Sequence, residues 1–174
     1  MLRATSVIFA SQRGNRAASD AVILDYRQRS AATGTVTSVN GVMINIALRG
    51  QVRLATDDLL LLDDGALVEV VAAPEQLLEV RAADVAVLAR IAWHLGDRHI
   101  QVELLPNRIR TRCDPAIEAL LTSFGARVTV IKAPFQPEGG AYAALPVHGH
   151  DRHDHPHDHT HDHSNDHAHG HVHD

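Results

Sequence analysis

The chain has 174 residues and a formal charge of −5, and its last 27 residues, with six aspartates and one arginine, carry all of that charge. The neutral remainder excludes the basic footprint that nucleic acid requires and gives no hold on an anionic membrane surface. No apolar run nears the ~18 residues of a membrane span, residues 1–10 lack a signal-peptide core, and one cysteine, Cys113, has no partner for an internal disulfide, so a cytoplasmic protein is expected.

Taken in order, residues 1–75 read as β. Val22-Ile23-Leu24-Asp25-Tyr26 is a short apolar run consistent with a strand. Thr35–Val39 and Val42–Leu48 flank Asn40-Gly41, a strong hairpin signal. Gly50 turns the chain into Gln51-Val52-Arg53-Leu54, and Leu59–Leu62 and Ala66–Val71 flank a second turn at Asp63-Asp64-Gly65. Short strands at this spacing predict a small barrel or sandwich, either a docking module or plain scaffold.

After Pro74 the pattern changes. Leu77–Arg81 is strand-like, and Asp84 can cap a helix whose apolar face is Val85, Leu88, Ala89, Ala92 and Leu95, with Gly96 as its stop. His99–Leu104 and Arg108–Arg112 read as strands around Pro106-Asn107. Asp114-Pro115 opens a second helix with Ile117, Leu120, Leu121 and Phe124 on its buried stripe; Gly125 ends it, and Arg127–Ile131 is a last strand. The order β-α-β-β-α-β is ferredoxin-like, and an irregular α+β domain is the alternative. The predicted class is α+β: a β-domain over 1–75, a ferredoxin-like domain over 76–147 and a disordered tail over 148–174.

The tail holds twelve of the fourteen histidines: His148, His150, His153, His155, His157, His159, His161, His163, His167, His169, His171 and His173. Alternating His-x-His spacing lets neighbouring neutral imidazoles close on one divalent ion, and the interleaved aspartates keep cations near. Cloning tags are usually uninterrupted histidine runs, so metal binding is the better reading of this mixed tract. In the folded part, His94 and His99 are five apart, which does not place them on one helical face. His94 reads first as a structural residue near a helix end and second as a ligand. His99 is a ligand candidate if a second chain supplies a partner across a two-fold axis. Cys113 precedes a helix start that would favour thiolate, so it is either a soft ligand or an idle thiol. No nucleophile–base set, phosphate loop or CxxC motif stands out, so neither an enzyme nor an organic cofactor is expected.

At His94-Leu95-Gly96-Asp97-Arg98-His99 and at Pro134-Phe135-Gln136-Pro137-Glu138-Gly139-Gly140-Ala141-Tyr142 the chain resembles the UreE family of urease accessory nickel chaperones. The resemblance implies a cytoplasmic homodimer that delivers Ni²⁺ to apo-urease together with other urease accessory proteins including the GTPase; imidazole ligands also suit Zn²⁺ and Cu²⁺. It also implies a peptide- or partner-binding β-domain, His99 as an interface metal ligand, and His94 in the place of the motif's first histidine. Asp97 stands where the family usually has Asn, Asp114-Pro115 replaces a frequent Asp-His, and Cys113 falls where some members carry another His.

Overall fold

The computed structural model describes residues 1–50 and 52–139. The expected disorder of the tail, and all twelve tail histidines, lie outside the described residues.

The first half is a six-stranded sheet built from β1 (Leu2–Ile8), β2 (Asp20–Leu24), β3 (Thr33–Thr37), β4 (Met43–Ala47), β5 (Leu59–Leu62) and β6 (Leu67–Ala72), in the order β2-β6-β5-β1-β4-β3. β1 runs parallel to β4 and antiparallel to β5, so the N-terminal strand sits mid-sheet. Both hairpins expected from Asn40-Gly41 and Asp63-Asp64-Gly65 form, with Gly41 and Gly65 supplying the left-handed turn residue. The tip of the first hairpin bends to the far edge of the sheet. There the Val39 N–H donates to the Ala21 carbonyl at 2.8 Å and the Asn40 N–H to the Asp20 carboxylate at 3.2 Å, so the sheet nearly closes into a barrel. Strict alternation along β6 buries Val68, Val70 and Ala72, and the two valines pack with Val22, Leu24, Ile44, Ile46 and Leu60. Each such side chain contributes about 1.5–3 kcal/mol by leaving water.

Two expectations for this half need correction. Tyr26 does not end a strand; it begins a helix, α1 (Tyr26–Ala31), because Asp25 and Gln28 form a reciprocal capping box across the first turn. No strand forms at 52–54. Leu54 is nevertheless fully buried, and its N–H donates to the Arg29 carbonyl at 3.0 Å.

The second half matches the ferredoxin-like expectation. β7 (Pro74–Arg81), α2 (Val85–Asp97), β8 (Glu103–Leu105), β9 (Arg108–Arg112), α3 (Pro115–Ser123) and β10 (Arg127–Pro134) form an antiparallel sheet ordered β10-β7-β9-β8. Leu78, Val80 and Ile109 of the sheet pack with Ile91, Leu95 and Leu121 of the helices. The core face of α2 differs from the expected one. Ile91 and Leu95 are fully buried, with Val87, Leu88 and Ala92 beside them, whereas Val85 is 70% exposed and Ala89 is exposed, next to Trp93 at 65%. The helix is apolar on nearly every side, so periodicity alone did not single out the buried face.

The two halves join through the segment after β10. Phe135 is completely buried against Tyr26 and Leu77, its ring 5.4 Å from that of Tyr26. Arg29, also buried, donates to the carbonyls of Leu24, Leu54 and Phe135. Gln136 accepts from the Thr56 N–H at 3.0 Å, while Glu138 donates through its own N–H to the Val102 carbonyl and accepts from the Leu104 N–H.

Candidate metal centre

The centre is built where α2 ends. Gly96 does not stop the helix, which continues through Asp97 with Arg98 as its C-cap. The reversal occurs at His99, whose φ is +55°. Its N–H donates to the Gly96 carbonyl at 2.9 Å, and the Ile100 N–H reaches back to the Leu95 carbonyl at 2.9 Å. This pair of bonds is a Schellman motif with His99 in the left-handed position that glycine normally takes. The expected strand over His99–Leu104 is therefore mostly irregular chain, and only Glu103–Leu105 joins the sheet. α3 ends in the same way at Gly125, whose N–H donates to Thr122 while that of Ala126 donates to Leu121. One motif thus appears twice in the domain, once with glycine and once with an exposed imidazole.

His99 borders an open cleft of about 640 Å³ beside the start of α3, shared with Gln76, Gln101, Thr111, Cys113 and Asp114. Sequence reasoning had picked out His99 and Cys113 separately, and the fold brings both to this cleft. Asp114 is committed elsewhere: its Oδ1 accepts from the N–H groups of Ala116 and Ile117 at 2.8 and 3.2 Å, capping α3. Cys113 is held toward the thiol form, the second of the two readings of this residue. Its side chain is exposed, yet partial burial, then the neighbouring Glu118 charge, push the thiol above its ordinary value. Among the described residues no three His, Cys, Asp or Glu side chains converge on a point able to hold a metal ion. Among the described residues, His99 and Cys113 therefore reach the cleft without a complete ligand set.

His94 is placed differently. Its half-buried ring stacks on Phe124 at 4.6 Å and 21° and meets Trp93 edge-on at 4.9 Å, while its carbonyl accepts from Arg98 at 2.9 Å. It does not line the His99 cleft. Gln76, Gln101 and Thr111 were not identified from sequence, and no local signal marks them, because each comes from a separate segment that only the sheet brings together.

On the opposite face of the sheet, Glu79 pairs with Arg81 at 2.8 Å, Arg110 at 3.1 Å and Arg108 at 3.4 Å. Burial alone would raise its carboxyl, but the arginines reverse this and hold it below the ordinary glutamate value. Neighbouring Glu103 is raised, first by burial and further by the Glu138 charge, which outweigh Arg110 at 3.8 Å, a hydrogen bond from the Gln136 backbone and the Arg108 charge.

Comparison with known proteins covers both halves. A family model described as the UreE urease accessory protein, N-terminal domain, matches residues 5–73, and one for the C-terminal domain matches residues 75–174. Over 157 residues the chain is 46% identical to a urease accessory protein UreE of Beijerinckia indica, covering 89% of this chain and 87% of that one. A Bradyrhizobium relative of the same name is 47% identical over 156 residues, covering 88% and 75%. One from Chelativorans is 44% identical over 155 residues, covering 89% and 94%.

Proposed function

The chain belongs to the UreE urease accessory protein family, and from that premise we propose that it is a cytoplasmic nickel metallochaperone that donates Ni²⁺ to apo-urease with the other accessory proteins, the GTPase among them. The observation that carries the reading is the incomplete ligand set at the His99 cleft. A site that the described residues leave incomplete is suited to completion by a second copy across a two-fold axis, which turns one exposed imidazole into two. The protein then acts as a homodimer with His99 as the hand-off ligand, and its β-domain docks partner proteins.

The tail histidines collect the cargo. Twelve imidazoles at about four to six ligands per nickel hold roughly two or three ions per chain. No helix among the described residues is long and apolar enough to cross a membrane.

Calorimetric titration of Ni²⁺ into the full chain, a truncation after Val147 and His99→Ala tests this. Delivery expects truncation to remove most capacity but leave one tighter site per dimer, which His99→Ala abolishes. The twelve-histidine tail also suits a metal buffer with the folded part as carrier. That reading wins if the truncation binds nothing and His99→Ala matches the parent.

A further inference from the structure

α2 and α3 cover one face of the second sheet. On the other face the seam covers one end, where Leu77 meets Tyr26 and Phe135 and where Arg112 lies over the Tyr26 ring at 5.7 Å. Away from the seam this face carries arginines. The β10–β7 register sets Arg127 directly opposite Arg81, and the step outward from the Val80–Ile109 pair sets Arg81 beside Arg108. Three neighbouring strands thus form a row of guanidinium groups, and like charges directly opposite one another destabilise a sheet. Among the described residues two carboxylates offset them. Glu79 is shared by Arg81, Arg108 and Arg110, and Glu103 makes one ion pair, with Arg110 at 3.8 Å. Donors are left over. Among the described residues the Arg108 Nε–H has no hydrogen bond, and the exposed Arg127 guanidinium has no ion-pair partner.

We propose that this row, Arg127, Arg81 and Arg108 with Arg110 beside it, docks an acidic segment of a partner protein, whose carboxylates take up the N–H groups that Glu79 leaves unused. This docking is separate from metal delivery and does not depend on it. Guanidinium groups bind carboxylates through paired N–H···O bonds. Strands lie about 4.8 Å apart, so the row spans about 10 Å, and two or three acidic side chains of an extended segment cover it. An open sheet face lacks the concavity that small ligands require. Nor do the described residues give it the exposed aromatic rings on which sheet faces stack single-stranded RNA, since the two rings beside it, Tyr26 and Phe135, are buried.

The test follows the fluorescence anisotropy of a labelled peptide that alternates glutamate with serine, and of its glutamine-for-glutamate counterpart, as the full chain is added in the presence of a chelator. Arg127→Glu, Arg81→Gln and Arg90→Glu are compared with the parent. Arg90 is exposed on α2, across the sheet from the row, so its reversal controls for net charge. The expected result is binding of the glutamate peptide alone, weakened by salt. Affinity should fall at least about tenfold in Arg127→Glu and Arg81→Gln and stay unchanged in Arg90→Glu. Arg127→Glu should also melt no lower than the parent, because it turns a like-charged cross-strand pair into an opposite one. Failure of the parent to bind overturns the proposal, as does binding that survives in Arg127→Glu or falls equally in Arg90→Glu. A lower melting temperature in Arg127→Glu removes its premise of like-charge strain. Displacement of the peptide by a single-stranded oligouridylate at lower concentration than by unlabelled peptide would make the face a nucleic-acid site instead.

Discussion

At the residue scale, His99 sets backbone preference against side-chain chemistry. A non-glycine residue in the left-handed region costs about 1–2 kcal/mol, because its Cβ crowds the following carbonyl. Gly125 holds the matching position without that cost. His99→Gly should therefore match or exceed the parent in thermal stability while losing the hand-off site, with a gain of about 1 kcal/mol corresponding to about 2–4 °C. His99→Val, branched at Cβ, should melt lower than the parent. Thermal unfolding of the metal-free proteins checks this, and a His99→Gly protein that melts below the parent would show that the imidazole holds the turn together. The motif spelling His94-Leu95-Gly96-Asp97-Arg98-His99 was legible in sequence; the site of reversal was not. Gly96 is the expected helix stop, yet the hydrogen bonds of Leu95 and Ile100 place the turn three residues later.

At the element scale, local signals placed the starts of α2 and α3 at Asp84 and Asp114, while of the expected α2 face Leu88, Ala92 and Leu95 join the core and Val85 and Ala89 do not. Asp114-Pro115 and Gly125 bracket α3 as expected, and Asp114→Ala should cost about 1–2 kcal/mol in chemical denaturation by uncapping the first-turn N–H groups of Ala116 and Ile117. In α2, apolar residues surround the axis, and burial was settled by which of them met Val80 and Ile109. The carboxylates on the open face of the sheet make an opposed pair. The folded-state value of Glu79 is lowered, so its contribution is present above the ordinary 4.5 and lost as pH falls through the lower folded value. The folded-state value of Glu103 is raised, so its contribution is present below 4.5 and lost as pH rises through the higher folded value. Relative to the parent at neutral pH, Glu79→Gln should thus destabilise and Glu103→Gln should stabilise. Both differences should shrink when denaturation is repeated in acid, and a pH-independent difference would assign these effects to packing instead.

At the scale of the whole molecule, the β half and the ferredoxin-like half share one seam within a single compact unit over residues 1–142. The Pro134–Glu138 stretch was legible as a family signature without a physical role; in the fold it closes that seam through Phe135, Gln136 and Glu138. Phe135→Ala should cost about 3–5 kcal/mol. Arg29→Met should also destabilise, because it strips donors from the buried carbonyls of Leu24, Leu54 and Phe135. If the seam couples the halves, Phe135→Ala should turn one denaturation transition into two, read by far-ultraviolet circular dichroism and by the fluorescence of Trp93, which lies in the second half. A single transition with an unchanged midpoint would contradict that role. Acid should also empty the nickel-loaded tail between about pH 7.5 and 5.5 as imidazoles protonate, measured as bound nickel per chain.

The chain by itself determined what depends on neighbours in sequence. Hairpin turns, helix caps, the β-α-β-β-α-β order and the histidine-rich tract all rest on residues within a few positions of one another, where turn chemistry, capping and ligand spacing operate. Tertiary structure alone decided the near-closure of the barrel through Val39, the buried face of α2, the Arg29–Phe135 seam and the meeting of His99 with Cys113 at one cleft. Each joins segments far apart in the chain, and their partners are selected by which surfaces leave water together, a choice that no local spacing records.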